Sequence, residues 1–345
     1  MTDASTRTGS GAWTEPGAYE VAPGVHRVPL PLPDDGLRAV NVYVVQTPEG
    51  LVLVDAGWAV PESRRLLEQA LDGLGASLSD VTRFLVTHVH RDHYTQAVAV
   101  RRDFGTRVGL GLGERPTMEL VQQPDREALS GHVVGLRRAG AGALADQMQR
   151  LAAGSSHDRT DWELPDEWLE PGRIALGDRV LEAVATPGHT TGHLVFHDVD
   201  GALLFAGDHV LPTITPSIGF EPVPSPDPLG AFLRSLALVR SRPDALLLPA
   251  HGPVAPSVHT RVDELLAFHE RRLAETVDAV AAGASTPHEV AGRLGWTRRL
   301  TRLTELDPFN AMLATFETGA HLVLLEAQGA LRRTVVDGVD HYAAS

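Results

Sequence analysis

Residues His88-Val89-His90-Arg91-Asp92-His93 set three imidazoles and a carboxylate side by side, directly after the apolar run Phe84-Leu85-Val86-Thr87. Side chains of these types suit zinc, and also iron or manganese. The apolar run reads as a buried strand. A strand presents alternate side chains on one face, so His88 and His90 can converge on one ion. The chain then turns, which frees Asp92 and His93 to aim at a second ion nearby. A solvated His-rich turn is the competing reading of this segment alone, and it loses ground as the rest of the chain is read.

The same junction recurs downstream. Arg179-Val180-Leu181-Glu182-Ala183-Val184-Ala185 leads into Thr186-Pro187-Gly188-His189, Ala202-Leu203-Leu204-Phe205-Ala206-Gly207 into Asp208, and Ala245-Leu246-Leu247-Leu248-Pro249 into Ala250-His251-Gly252-Pro253. Each is a short apolar run of strand length that meets a His or Asp beside Gly or Pro. A sheet fixes position while the loop that leaves it supplies open coordination. Gly207 and Gly252 are expected to let the backbone approach an ion closely.

Taken together, His88-x-His90-x-Asp92-His93, His189, Asp208 and His251 resemble the complete ligand set of the metallo-β-lactamase superfamily, in its glyoxalase II-like form. Val52-Leu53-Val54-Asp55-Ala56-Gly57 is similar to that family's early strand and aspartate. The resemblance covers about residues 20 to 258. It implies an α/β (α+β) fold: a four-layer αββα sandwich, two mixed sheets face to face with helices outside, and a metal site at one edge. It also implies two divalent ions, with zinc first and iron or manganese as alternatives. His88, His90 and His189 would hold one ion, Asp92, His93 and His251 the other, and Asp208 would bridge them. Asp55 would orient the site without touching metal, with His193 and Thr190 also behind the ligands. One departure stands out. After His93 the chain reads Tyr94-Thr95-Gln96-Ala97, where relatives commonly have a Gly pair, so the pocket beside this segment can be placed differently.

Charge and composition narrow the function. The net charge is −14, from 44 acidic and 30 basic residues, and this lacks the cationic balance of an enzyme that tracks nucleic-acid phosphates. The densest basic cluster, Arg298, Arg299 and Arg302 with Arg293 nearby, reads as a solvated helix end or loop. There is no cysteine, so disulfides and thiolate ligands are excluded. Met1 to Trp13 is polar and has no apolar core, and no stretch approaches the roughly 20 apolar residues of a membrane span. A cytoplasmic protein with a small-molecule substrate is expected, without membrane or nucleic-acid partners and with a homodimer as the candidate assembly. A secreted antibiotic-destroying lactamase fits less well. His26, His132, His157, His197, His259, His269, His288, His321 and His341 are assigned surface or structural roles, and His209 is a candidate for reaching substrate.

Three regions are expected: a disordered tail over 1–18, the metallo-β-lactamase domain that the resemblance implies over 19–258 with an insertion over about 112–172, and a helical winged-helix-like module over 259–345. The insertion is expected to hold a helix around Arg137 to Leu151. It ends in Asp161-Trp162-Glu163-Leu164-Pro165-Asp166-Glu167-Trp168, where Trp162 and Trp168 either contact substrate from a lid or pin the insertion to the body. In the tail, Val262, Leu265, Leu266, His269, Leu273 and Val277 mark a long amphipathic helix. Thr286-Pro287-His288-Glu289 is a capping box opening a short helix that ends near Gly295. Asp307-Pro308 opens a third helix with Phe309, Met312, Leu313, Phe316, Ala320 and Leu324 on one face, and Leu331 to Val336 can form a strand. This tail resembles the winged-helix-like appendage of one branch of the superfamily, which includes enzymes acting on RNA and others acting on small acyl compounds.

The resemblance implies hydrolysis by a metal-bound hydroxide, with Asp92 and Asp208 as the catalytic carboxylates. Thr190 and Thr191 would orient ligands, and Tyr94 is either a donor to the oxyanion or a packed ring. A small-molecule thioester, ester or lactone is the expected substrate. The alternatives are a phosphodiesterase or ribonuclease and, last, iron-based oxygen or sulfur chemistry.

Overall fold

The computed structural model describes residues 12–33, 36–123, 127–153 and 159–345. Residues 1–11 of the expected tail and His157 lie outside the described residues. The rest of that tail is tied down: Ala12–Thr14 forms one 3-10 turn, and Arg27 donates to the Trp13 carbonyl at 2.6 Å.

Apolar runs too hydrophobic for a half-solvated strand build two sheets, each covered on both faces. The first runs in chain order: β1 (Tyr19–Ala22), β2 (Val25–Pro31), β3 (Ala39–Thr47), β4 (Gly50–Val54), β5 (Val81–Val86), β6 (Arg107–Gly111) and β7 (Glu167–Leu169). β1 to β4 pair antiparallel and β4 to β7 parallel. Helices α1 (Pro61–Gly73) and α2 (Arg91–Phe104) make two of the parallel crossovers. The insertion makes the third, through α3 (Arg115–Val121), α4 (Ser130–Arg138) and α5 (Gly142–Ala152). The single helix expected around Arg137 to Leu151 is thus two. Gly140 takes a left-handed backbone (φ 79°), which ends α4 and restarts the chain.

The second sheet contains β8 (Gly172–Leu176), β9 (Arg179–Ala185), β10 (Leu194–Asp198), β11 (Leu203–Gly207) and β12 (Leu246–Pro249), ordered β12-β11-β10-β9-β8. Its one parallel pair, β11 with β12, is joined through α6 (Pro228–Arg240). Strand alternation then sorts the side chains into layers. Val40, Val42, Val44, Leu53 and Phe84 pack outward under α1 and α2. Tyr43, Val45, Val52, Val54 and Leu85 point inward and meet Leu181, Leu194, Phe196, Phe205 and Leu248 of the other sheet. Val195, Leu204, Ala206 and Leu247 face α6 and the next helix, α7 (Val258–Ala281). The four-layer αββα sandwich is therefore present, and each large side chain buried in it contributes about 1.5–3 kcal/mol.

Beyond α7 come α8 (Pro287–Ala291), α9 (Pro308–Ala327) and a hairpin, β13 (Leu331–Val336) with β14 (Val339–Ala344). Thr286 and Glu289 form the expected capping box. α8 stops before Gly295, and the hairpin adds a second strand to the one expected. The tail is not set apart from the body. α9 places Ala320 and Leu324 in the core beneath α6 and α7, Leu322 and Leu325 in a core shared with α8 and the hairpin, and Met312 against α4 and α5.

Candidate metal centre

Topology alone brings the polar strand ends together. β4 and β5 run parallel, β9 and β11 both run antiparallel to β10, and β12 runs parallel to β11. The residues that follow these five strands gather at one edge of the sandwich, where the sheets are stitched together. Leu194 N–H donates to the Thr87 carbonyl at 2.8 Å, and Asn41 Nδ2 donates to the Pro249 and Gly252 carbonyls, each at 2.9 Å.

Two groups of donors meet there: His88, His90, His189 and Asp208, and beside them Asp92, His93 and His251, each with ligand atoms within 4.8 Å of one another. His88 and His90 do not project from the strand as expected. β5 ends at Val86, both sit in the loop after it, and α2 begins at Arg91, so Asp92 and His93 occupy the first helical turn. Asp208 lies between the groups. Its Oδ2 is 3.5 Å from His189 Nε2, and its Oδ1 is 3.3 Å from His251 Nε2 and 3.7 Å from His93 Nε2. Asp92 Oδ2 is 3.4 Å from His251 Nε2 and 3.5 Å from His93 Nε2.

The far nitrogens of the rings set which face carries a lone pair. His189 Nδ1 lies 2.7 Å from the Ser217 carbonyl and His251 Nδ1 2.8 Å from the Ala39 carbonyl. A carbonyl only accepts, so each Nδ1 carries a proton and each Nε2 is the ring atom turned toward the site. His93 Nδ1 donates to Asp55 Oδ2 at 2.9 Å with the same result. His193 accepts the Asp208 backbone N–H at 3.2 Å through Nε2, and its Nδ1 donates to Thr186 Oγ1 at 2.9 Å, which fixes the turn that carries Asp208. His93 Nε2, His251 Nε2 and Asp208 Oδ1 are buried with no hydrogen-bond partner. Buried polar atoms are rarely left so, and a convergent set of ring nitrogens and carboxylate oxygens fits divalent cations such as zinc.

Electrostatics divide the two groups. Burial pulls His88 well below the ordinary imidazole value, helped by His93, His90 and His189, and pulls His90 down to about 3. These rings are neutral, as metal ligands must be. Burial also opposes charge on His93, but Asp92, Asp55 and Asp208 outweigh it and raise its pKa well above normal; Asp208 and Asp92 do the same for His251. This side of the site favours positive charge.

Asp55 sits behind His93 with a left-handed backbone (φ 61°) and also accepts the Thr87 N–H at 2.8 Å and the Thr87 hydroxyl at 2.9 Å. Asparagine could not serve all three donors. Asp55→Asn is therefore expected to weaken metal binding by about 10–100-fold, measured by competition with a chromophoric chelator. Wild-type affinity in the variant would remove Asp55 from this role. Gly207 (φ 50°) has a different use from the one expected. A Cβ there would lie 2.7 Å from both His193 Nε2 and Thr87 Oγ1, so the glycine serves close packing of the supporting groups, and at Gly252 the close neighbour is Pro212.

Two acids that brace this edge have no sequence signal, since each is a lone Glu outside any motif. Glu114, fully buried, accepts the Thr190 hydroxyl and the backbone N–H groups of Val89 and Gly192, so one carboxyl ties the His88–His90 loop to the His189 loop. Burial pushes it up to about 8. Glu221 accepts the Thr191 N–H at 2.6 Å and its hydroxyl at 2.9 Å, and burial raises it to about 7. Thr190 and Thr191 thus brace the loop through these acids. Glu114→Ala would strand three donors and is expected to cost roughly 2–4 kcal/mol, read as a lower Tm with reduced metal content. Glu114→Gln, which keeps an acceptor, should recover part of it. Equal stability of the alanine variant would contradict the clamp.

Several expected substrate contacts point elsewhere. Tyr94 is fully buried and donates to the Glu163 carbonyl at 2.5 Å, so it is the packed ring and not an oxyanion donor. Trp162 stacks on Tyr94 at 6.4 Å, and both Trp162 and Trp168 pack on the helix-covered face of the first sheet. They anchor the insertion and form no lid. His209 is fully buried against Phe232 (5.1 Å) and His193 (6.0 Å), behind the site and out of a substrate's reach. His269 and His321 face each other at 3.2 Å between α7 and α9, and His197 accepts from Arg242 at 3.0 Å, both structural arrangements.

A sequence model of the metallo-beta-lactamase superfamily matches residues 35–251, well over half of the chain and all seven donors. The chain belongs to the metallo-beta-lactamase superfamily. A solved beta-lactamase domain protein from Burkholderia ambifaria superposes with a TM-score of 0.78 at 28% identity, covering 98% of this chain and 96% of that one. Among curated superfamily relatives, the probable metallo-hydrolase YqjP of Bacillus subtilis is 26% identical over 88% of this chain and 92% of its own length. The atrochrysone carboxyl ACP thioesterase nsrC of Aspergillus novofumigatus is 26% identical over 77% of this chain and 65% of its own. The chain spans about half to two thirds of the fungal relatives it matches. No helix among the described residues is long and apolar enough to cross a membrane.

Proposed function

We propose that this chain is a dinuclear, zinc-dependent hydrolase of small-molecule acyl compounds, thioesters ahead of esters and lactones, acting in the cytoplasm. The observation that carries the reading is Asp208, whose two carboxylate oxygens face two separate groups of inward-aimed donors. His88, His90 and His189 would hold one ion and Asp92, His93 and His251 the other, with Asp208 shared. When bound, such ions supply Lewis acidity toward a carbonyl and lower the pKa of water toward neutrality.

The chain's own residues do the rest. Asp55, His193, Glu114 and Glu221 hold the donors in place without reorganisation. His90 and Asp92 are the donors with partial exposure, so a substrate carbonyl enters on their side. Burial opposes charge on Asp92, but His93 and His251 outweigh it and hold its pKa well below normal, so it stays ionised as a donor on that side. Hydrolysis adds water at the acyl carbon and breaks the C–S bond; the acid keeps the new oxygen and the thiol takes a proton. The thioesterase named among the relatives and the acidic net charge of −14 support acyl over phosphodiester substrates.

The test is hydrolysis of a medium-chain acyl-CoA by zinc-loaded protein, read as thiol release, with Asp208→Ala as control. The lack of cysteine removes any protein background. Turnover lost in the variant is the expected result. No turnover from protein carrying two ions would overturn thioester hydrolysis and direct attention to lactones and phosphodiesters.

A further inference from the structure

Beside the metal donors, aromatic rings from three distant parts of the chain form a corner. The ring of Phe220, on the loop between β11 and α6, lies 6.4 Å from the ring of His90. It stacks on His132 of α4 at 4.5 Å and meets Phe309 of α9 at 5.5 Å and 78°. His132 in turn lies 5.9 Å from Phe316 of α9. His90 is one of the two partly exposed donors, so Phe220 lines the side on which the centre opens.

The corner is rigid. Glu221, next to Phe220, is fixed by its two bonds from Thr191. At Gly219 a Cβ would sit 3.2 Å from the Phe316 carbonyl, and at Gly135 3.0 Å from the Phe316 ring, so glycines let α4, this loop and α9 close on one another. Phe309 stands on the first turn of α9, where Asp307 accepts the N–H groups of residues 309 and 310 at 3.0 and 3.1 Å. Yet the Phe309 side chain is 45% exposed. A solvated phenyl on a capped helix, set nearly at right angles to a half-buried one, leaves an edge-to-face place for a third ring.

Resting on the hydrolase reading, we propose that this corner is the acyl-binding subsite and that it selects acyl groups bearing an aromatic or cyclic apolar ring close to the scissile carbonyl. Phe220 lies 6.4 Å from His90, so a ring packed against it is held close to the scissile carbonyl. An acetyl group is too short to reach it. The tail of the chain thereby contributes to substrate choice through Phe309, although all seven donors lie outside it.

The experiment compares kcat/KM for phenylacetyl and acetyl thioesters, and separately the binding of phenylacetate to zinc-loaded protein by calorimetry. It uses wild type, Phe309→Ala, Phe309→Leu, and Phe104→Ala as a control that removes an exposed phenyl elsewhere. The phenylacetyl-to-acetyl ratio is expected to fall about 10-fold in Phe309→Ala, to recover partly in Phe309→Leu, and to hold in Phe104→Ala. An unchanged ratio in Phe309→Ala overturns the subsite. Should wild type hydrolyse neither thioester, the thioesterase reading fails and binding decides. Phenylacetate binding weakened at least about 5-fold by Phe309→Ala keeps the corner as an apolar-ring site, whereas equal or absent binding overturns it.

Discussion

Asp208→Ala is expected to lose stoichiometric metal at both positions and to cut hydrolysis by at least about 10²–10³-fold, while the fold survives. Each Asp208 oxygen faces a different donor group, at 3.5 Å from His189 on one side and 3.3 Å from His251 on the other. No other carboxylate among the described residues joins the two groups. The turn itself should hold, because His193 binds the backbone N–H of residue 208 and not its side chain. Asp208→Asn, which keeps the shape and removes the charge, is expected to behave nearly as badly. Metal content after dialysis and thermal melting check both points. A variant that keeps two ions and full turnover would sink the bridging role and the function built on it.

Stripping the metal with a chelator is expected to lower the Tm by at least about 5 °C, since ions that bind only the folded state stabilise it by mass action. The loss should grow with pH. His93 and His251 have folded pKa values above the ordinary imidazole value, because the carboxylates outweigh burial. Their contribution in metal-free protein is complete below about pH 6.5 and is lost as pH rises through the raised values. In loaded protein the ions stand where those protons were, and binding releases the protons, so affinity rises over the same range. The gap between loaded and stripped protein should therefore widen from about pH 6.5 to about pH 8.5. Melting curves with and without chelator at both values test this. A Tm indifferent to chelation would mean that the donors stand unaided.

Much of the site was legible because its signals are local. Apolar runs of strand length followed by His or Asp beside Gly mark where a sheet ends and coordination can begin, and the runs before His88, His189, Asp208 and His251 are β5, β9, β11 and β12. The layered sandwich was expected from the family resemblance those motifs carry, and the alternation of Val40, Val42 and Val44 against Tyr43 and Val45 between two cores shows why it holds. The break at Gly140, by contrast, was read through although Gly140 and Gly142 stand there, because an isolated glycine is also tolerated within a helix.

What the sequence by itself determined is therefore the set of donors, their order on strand ends, and the family and fold that hold them. Only the tertiary structure decided which way the neighbours of those donors face. Tyr94 follows His93 by one residue, yet a helix turns each residue by about 100°, and that rotation sends one ring to the site and the other toward Glu163. Glu114 acts on Thr190 from 76 residues away, and Phe220, His132 and Phe309 meet from three separate elements. Periodicity and capping operate over a few residues, whereas these contacts exist only once the sheets, the insertion and α9 have packed, because burial fixes direction and burial is a property of the whole fold.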